Sequence, residues 1–373
     1  MVKRSHLLLS LLLFLTLTEG LLQAVVHVTR AAKPKNQMVK LSPYQNTTWA
    51  EDYFDELARS SENRYYPFIE WRRKEFHGRY IRVSEDGIRK TWTPGNKQGE
   101  AQLVYCFGGS TLWGSGARDE FTLPSLLSKK LNQNPEFYEV RNLGESAYTL
   151  GQEIVYLTLL LKEGQVPDYV IFYDGINDVF AGYQTGRPGE LQNVEQIRAK
   201  LEEPENNFKR LALALQGLIE SHYQTYRLLK SLLFRFEGKR EGLAASGFSD
   251  EDLEQLSLGL VREYERDKKF VADLAKTYGF QYAFIWQPVL ATNPSVTSEE
   301  RQYDLWKDPK LVRFFDLTYR HMEEKKEDHF YNLSRILDSK EKTLYIDGYH
   351  LSEEGNEIVA GKLYQILKES VLK

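Results

Sequence analysis

The stretch "AQLVYCFGGS", Ala101–Ser110, decides how this chain is read. Ala101–Phe107 is a short apolar run that stops at paired glycines. It is too short for a helix and fits a strand buried on both faces. Ser110 follows at once, where a strand would hand over to a helix.

Outward from this stretch, the same grammar repeats. "FTLPSLLSKKLNQ" (residues 121–133) has helical spacing. "FYEVRNLG" (Phe137–Gly144) reads as a second strand, and "TLGQEIVYLTLLLKEG" (residues 149–164) as a helix closed by Gly164. "PDYVIFYDG" (Pro167–Gly175) is a third strand, "FQYAFIWQP" (Phe280–Pro288) a fourth and "TLYID" (Thr343–Asp347) a fifth. A last helix is expected from about Ser352, an N-cap with Glu353 and Glu354 in the first turn. Strands alternating with helices predict an α/β fold, a three-layer α/β/α arrangement around a five-stranded parallel sheet. The chain from about Gly186 to Lys276 exceeds what one crossover needs and is expected to be a helical insertion within a domain spanning 101–373.

Composition narrows the function. Net charge is −4 with a pI near 6.1, which marks no general affinity for nucleic acid. A single cysteine, Cys106, excludes an intramolecular disulfide framework. It lies within an apolar strand and is read as a small hydrophobe. Residues 1–30 open with basic residues and carry an apolar stretch, Leu7–Val28. Either Leu7–Leu17 is the core of a signal peptide, or Leu7–Val28 is a retained membrane helix. Both readings imply export to the cell envelope: the first as a secreted protein whose leader is removed, the second as a protein anchored in the membrane by its amino-terminal segment. A polar linker over 31–48 and an aromatic-rich collar over 49–100 are expected to follow. The collar's Tyr65, Tyr66, Trp71 and Trp92 are read as packing residues.

In a parallel sheet, ligands bind beyond the carboxyl ends of the strands. Ser110, Gly144, Asn177 and the pair Asp347 and His350 all fall at such ends. His350 is the only one of seven histidines with an aspartate three residues ahead. Each feature alone has an ordinary reading: a capped turn, a strand exit, an Asx turn, a surface ion pair. A phosphate loop in "GGSTLWGSG" fails for want of a lysine after the last glycine. Asp174 and Asp178 fit strand-end turns, so no metal is assigned. No cofactor is required by the set.

Together these residues resemble the SGNH/GDSL hydrolase superfamily, with its flavodoxin-like fold. "CFGGSTLWGSG" resembles the nucleophile block, "RNLGESAYT" the second block, "YDGIND" the Gly-x-Asn-Asp block and "IDGYHLSEEGN" the last. The likeness runs from about Ala101 to Val371, and Gly109 stands where the Gly-Asp-Ser form has its aspartate. The resemblance implies a serine esterase with Ser110 as nucleophile, His350 as base and Asp347 as its partner. It also implies an oxyanion hole of the Ser110 and Gly144 amides and the Asn177 side chain. A small-molecule or glycan ester, acetyl esters included, is the expected substrate. An acyltransferase of the same fold and a non-catalytic envelope protein are the alternatives. Turnover with acid release, acylation of an added glycan, or an intact fold without a serine adduct would separate the three. Oligomeric state is not legible.

Overall fold

A computed structural model describes residues 18–21, 23–24, 36–95, 99–133, 135–201, 243–325, 327–338 and 341–370. The chain divides into two compact units, Asn36–Glu195 with Leu243–Lys373 and Met1–Lys35 with Gln196–Gly242. In the second unit the described residues are helical, and the Gln23 side chain donates to Glu19 at 2.9 Å. Most of the expected membrane segment Leu7–Val28, and residues 202–242 of the expected insertion, lie outside the described residues. Among the described residues, no helix is long and apolar enough to cross a membrane.

The larger unit is built on a parallel sheet of order β6-β5-β7-β8-β9. Its strands are β5 (Gln102–Gly108), β6 (Tyr138–Asn142), β7 (Tyr169–Asp174), β8 (Gln281–Trp286) and β9 (Phe330–Asn332). β5 lies inside the sheet, between β6 and β7, as a strand apolar on both faces can. Val104 faces Val140 on one side and Tyr169 on the other. Phe107, Phe172 and Phe284 stack across three neighbouring strands, with centroids 5.4 and 4.9 Å apart.

Helices α3 (Leu123–Leu131) and α8 (Glu353–Ser370) pack together. α4 (Leu150–Lys162), α5 (Ile176–Thr185), α6 (Asp250–Tyr278) and α7 (Pro309–Glu323) form a second group. α6 is the crossover helix leading into β8: Leu253, Leu260, Tyr264 and Val271 join the main core. The carboxyl-terminal part of the expected insertion therefore belongs to the sheet's own helical layer.

The fifth strand is corrected. It is Phe330–Asn332, not Thr343–Asp347. Leu344, Tyr345 and Ile346 are buried as a strand would be, yet Tyr345 forms only an isolated bridge, to Leu351. The buried Glu300 carboxylate accepts the N–H groups of Leu344 and Tyr345, each at 3.2 Å, in place of a neighbouring strand. Three residues beside a charged stretch are too few for β9 to announce itself by periodicity.

Within the stretch expected as a linker, Met38, Val39 and Leu41 pack against the cluster that holds Tyr44. Tyr44 is buried and its hydroxyl donates to the Gly116 carbonyl at 2.5 Å. Beyond it come α1 (Ala50–Arg59), the antiparallel pair β1 (Asn63–Tyr66) and β2 (Glu70–Arg73), and the short pair β3 (Phe76–His77) and β4 (Arg82–Val83). Tyr53 and Phe54 of α1 share a cluster with Trp113 and Ile346.

Candidate active site

The Ser110 turn follows from β5. Gly108 ends the strand, Gly109 caps the one-turn helix α2 (Ser110–Trp113), and Ser110 is its first residue. Two hundred and forty residues on, the Asp347–His350 turn closes on itself. Asp347 Oδ1 accepts the N–H groups of Tyr349 and His350, each at 2.8 Å. Its Oδ2 lies 2.7 Å from His350 Nδ1, and His350 Nε2 lies 2.7 Å from Ser110 Oγ. The network fixes the tautomer: Nδ1–H donates to the carboxylate and Nε2 accepts the serine proton.

Burial would lower the His350 pKa, but the charge and hydrogen bond of Asp347 outweigh it, so the ring is held above its ordinary value. Burial would raise Asp347. The His350 charge and three hydrogen bonds, one from that ring and two from backbone N–H groups, hold its carboxyl below the usual value instead.

Across a pocket of about 340 Å³ stands Asn177, at the start of α5. Its Nδ2 donates to the Tyr148 carbonyl at 2.8 Å, and its Oδ1 accepts from Gln192 Nε2 at 3.2 Å. The carboxamide presses onto Gly109: a Cβ there would sit 2.0 Å from Nδ2. Gly144 is corrected. Its N–H donates to Asn142 Oδ1 at 3.2 Å, and a Cβ on it would lie 2.9 Å from the Trp113 nitrogen. A glycine is needed there because the loop passes the backbone of α2, and Gly144 does not line the pocket. Ser146 and Ala147 line it instead, and Ala147 takes the left-handed φ of 66°. No acceptor for the Ala147 N–H occurs among the described residues.

Residues 104–363 match the family of GDSL-like lipases and acylhydrolases, well over half of the chain. The chain belongs to the GDSL-like lipase/acylhydrolase family. It is a hydrolase acting on ester bonds. No curated protein matches it. Among solved structures it is similar to an acetylxylan esterase from Geobacillus stearothermophilus, with 15% identity over 74% of this chain and 96% of that one, at a TM-score of 0.37. A psychrotrophic esterase from Pseudoalteromonas sp. shows 13% identity over 73% and 100%, at a TM-score of 0.35. The acetyl xylan esterase AlAXEase shows 14% identity over 71% and 99%, at a TM-score of 0.35.

The GDSL-like segment is braced by residues that precede it. Arg89 is fully buried and donates to the carbonyls of Trp113 (3.1 Å), Gly114 (2.8 Å) and Ala117 (2.7 Å), and to Asp119 (3.0 Å). Arg72 donates to the Leu143 carbonyl at 3.1 Å. Arg73 pairs with the buried Glu145 at 3.2 Å and donates to Ser146 Oγ at 2.6 Å. The guanidinium groups of Arg73 and Arg89 lie 3.7 and 4.2 Å from the Trp113 ring. Sequence reasoning missed all three arginines. "EWRRKEF" looks like a solvated charge run, and nothing local reveals that its arginines turn inward.

Beyond the Asn177 turn lies a buried acidic group. Burial pushes Glu153 and Asp174 well above the carboxylate range; Asp174 raises Glu153 further, and the Asp178 charge raises Asp174 against the opposing hydrogen bond with Glu153. Asp178 accepts from the N–H groups of Leu150 (3.0 Å) and Gly175 (3.4 Å). Asp178 thereby ties the start of α4 to the start of α5. Among the described residues no group of three or more His, Cys, Asp or Glu side chains is arranged to hold a metal. Cys106 is buried, and burial alone pushes its thiol far up, which suits a core residue.

Proposed function

We propose that this esterase cleaves O-acyl esters by a Ser110–His350–Asp347 acyl-enzyme mechanism, on short acyl groups such as acetyl, at the cell envelope. One observation carries the mechanism: His350 holds Ser110 Oγ on one ring nitrogen and Asp347 on the other, both at 2.7 Å.

The steps balance on these side chains. Ser110 Oγ bonds to the ester carbonyl carbon as its proton passes to His350 Nε2. Asp347 stabilises the imidazolium and keeps the tautomer. The carbonyl oxygen becomes an oxyanion, met by Asn177 Nδ2 and by the Ser110 and Ala147 amides, donors already in place before reaction. Collapse breaks the bond to the alcohol oxygen, which leaves with the proton from His350. Water then gives a proton to His350 and its oxygen to the acyl carbon. Cleavage of the Ser110 ester returns that proton to Oγ and releases the acid.

A short acyl chain is favoured by the pocket's size and by its apolar wall of Ile176, Phe180 and Tyr349. The envelope setting rests on the apolar stretch Leu7–Val28. Ser110→Ala tests the mechanism. The variant should keep its melting temperature and lose both fluorophosphonate labelling and turnover of p-nitrophenyl acetate. Retained turnover in the purified variant would sink the serine mechanism.

A further inference from the structure

Asn177 is held by more than its own turn. Its carboxamide has one orientation, because a flipped group would set Oδ1 against the Tyr148 carbonyl oxygen. The free Oδ1 then meets Gln192 Nε2 at 3.2 Å. Gln192 is 8% exposed and lines the same pocket as Ser110 and His350.

The chain after α5 is built to deliver this contact. Gly186 and Gly189 turn it back with φ of 69° and 76°, and Asn193 takes a φ of 59°. Asn193 is locked there twice by Gln184: its N–H donates to Gln184 Oε1 at 2.8 Å, and its Oδ1 accepts from Gln184 Nε2 at 3.0 Å. Asparagine tolerates this backbone region better than most residues. Three left-handed residues and a reciprocal amide pair thus fix the residue beside Gln192.

We propose that Gln192 is a positioning residue for Asn177. By donating to Oδ1 it holds the carboxamide so that the second Nδ2 hydrogen stays directed to the substrate oxygen. The proposal rests on the oxyanion role given to Asn177 above. Gln192 holds Asn177 and not a reacting atom, so its effect passes entirely through Asn177.

A double-mutant cycle tests it, with p-nitrophenyl acetate as probe and melting temperature recorded for each variant. Gln192→Ala should lower kcat about tenfold, the scale of one net hydrogen bond, with KM within about twofold. Gln192→Glu keeps the volume but replaces the donor by an acceptor, so it should lose at least as much with an unchanged melting temperature. In the Asn177→Ala background, Gln192→Ala should cost less than about twofold more. An undiminished tenfold loss in that background, or wild-type kcat in Gln192→Glu, would overturn the proposal. The coupling between residues 192 and 177 is read whatever the nucleophile, whereas the serine mechanism fails separately through Ser110→Ala.

Discussion

Gly109→Ala adds a single methyl group, and the structure says where it goes. Gly109 has φ −77° and ψ −159°, a backbone any residue adopts, so the substitution carries no conformational penalty. The methyl carbon would lie 2.0 Å from Asn177 Nδ2 and 3.0 Å from its Cγ. Comfortable separations are about 3.5–4.0 Å, so the carboxamide must retreat by more than about 1 Å. That retreat pulls Nδ2 from the Tyr148 carbonyl and from the position an oxyanion donor must keep. A misplacement of about 1 Å costs on the order of 10²-fold, and full loss of one donor about 10²–10³ in kcat. Gly109→Ala should therefore cut kcat by about 10²-fold with little change in KM, and should add little to Asn177→Ala. Initial rates on p-nitrophenyl acetate, with KM and melting temperature measured on the same preparations, check this. A Gly109→Ala enzyme with wild-type kcat would refute the packing argument. So would a further full loss when combined with Asn177→Ala. The substitution moves this chain toward the side-chain-bearing form of its family's first block, so the damage would show that its own Asn177 placement depends on the gap.

Because Asp347 holds the His350 ring above its ordinary value, and only the neutral ring accepts a proton, kcat/KM should rise with pH through a midpoint above about 6.5. Asp347→Asn removes the influence that raises the ring and leaves the burial that lowers it, so the residual limb should move toward acid. Its kcat should fall on the order of 10⁴-fold, as in other triads that lose this partner. A limb unmoved in Asp347→Asn would refute the assignment, as would inactivation by EDTA reversed by a divalent ion. The full chain should fractionate with membranes through Leu7–Val28, and a chain starting near Ala31 should be soluble and active. Recovery of the intact full chain in the soluble fraction would contradict the retained membrane helix.

The sequence made the sheet legible where strands were long and apolar. β5, β6, β7 and β8 fall where their hydrophobic runs place them, and the last helix begins beside Ser352 as its acidic first turn indicates. It misled at the edge, where the apolar "TLYID" satisfies its backbone on the Glu300 side chain while "FYN" takes the strand. Ser110, Asp347 and His350 were legible because two lie in one self-closing turn and the third sits at a glycine-marked strand end. Gly144 misled because a glycine that lets two backbones pass looks, in sequence, like one that makes room for substrate. Ala147, Gln192 and the arginines were invisible for one reason. Their meaning lies in a φ angle or in a partner far along the chain, and neither has a periodic signature.

The arginine-clasped Trp113 bears on where this protein could be cut. The family-matched segment begins at residue 104, yet the carbonyls after its nucleophile are capped by Arg89 and the loop with Glu145 is held by Arg72 and Arg73. Excised at that boundary, the segment would leave Glu145 without its Arg73 partner and the Gly114 and Ala117 carbonyls without their Arg89 donor. Each such orphan costs about 1–3 kcal/mol, against a total margin of roughly 5–15 kcal/mol for a whole protein. The reaction centre is therefore not a portable module. The Ser110 helix is shared property of two stretches of chain. The same sharing gives the amino-terminal stretch leverage: substitutions around Arg73 or Tyr53 could retune the pocket wall while every residue of the triad stays untouched.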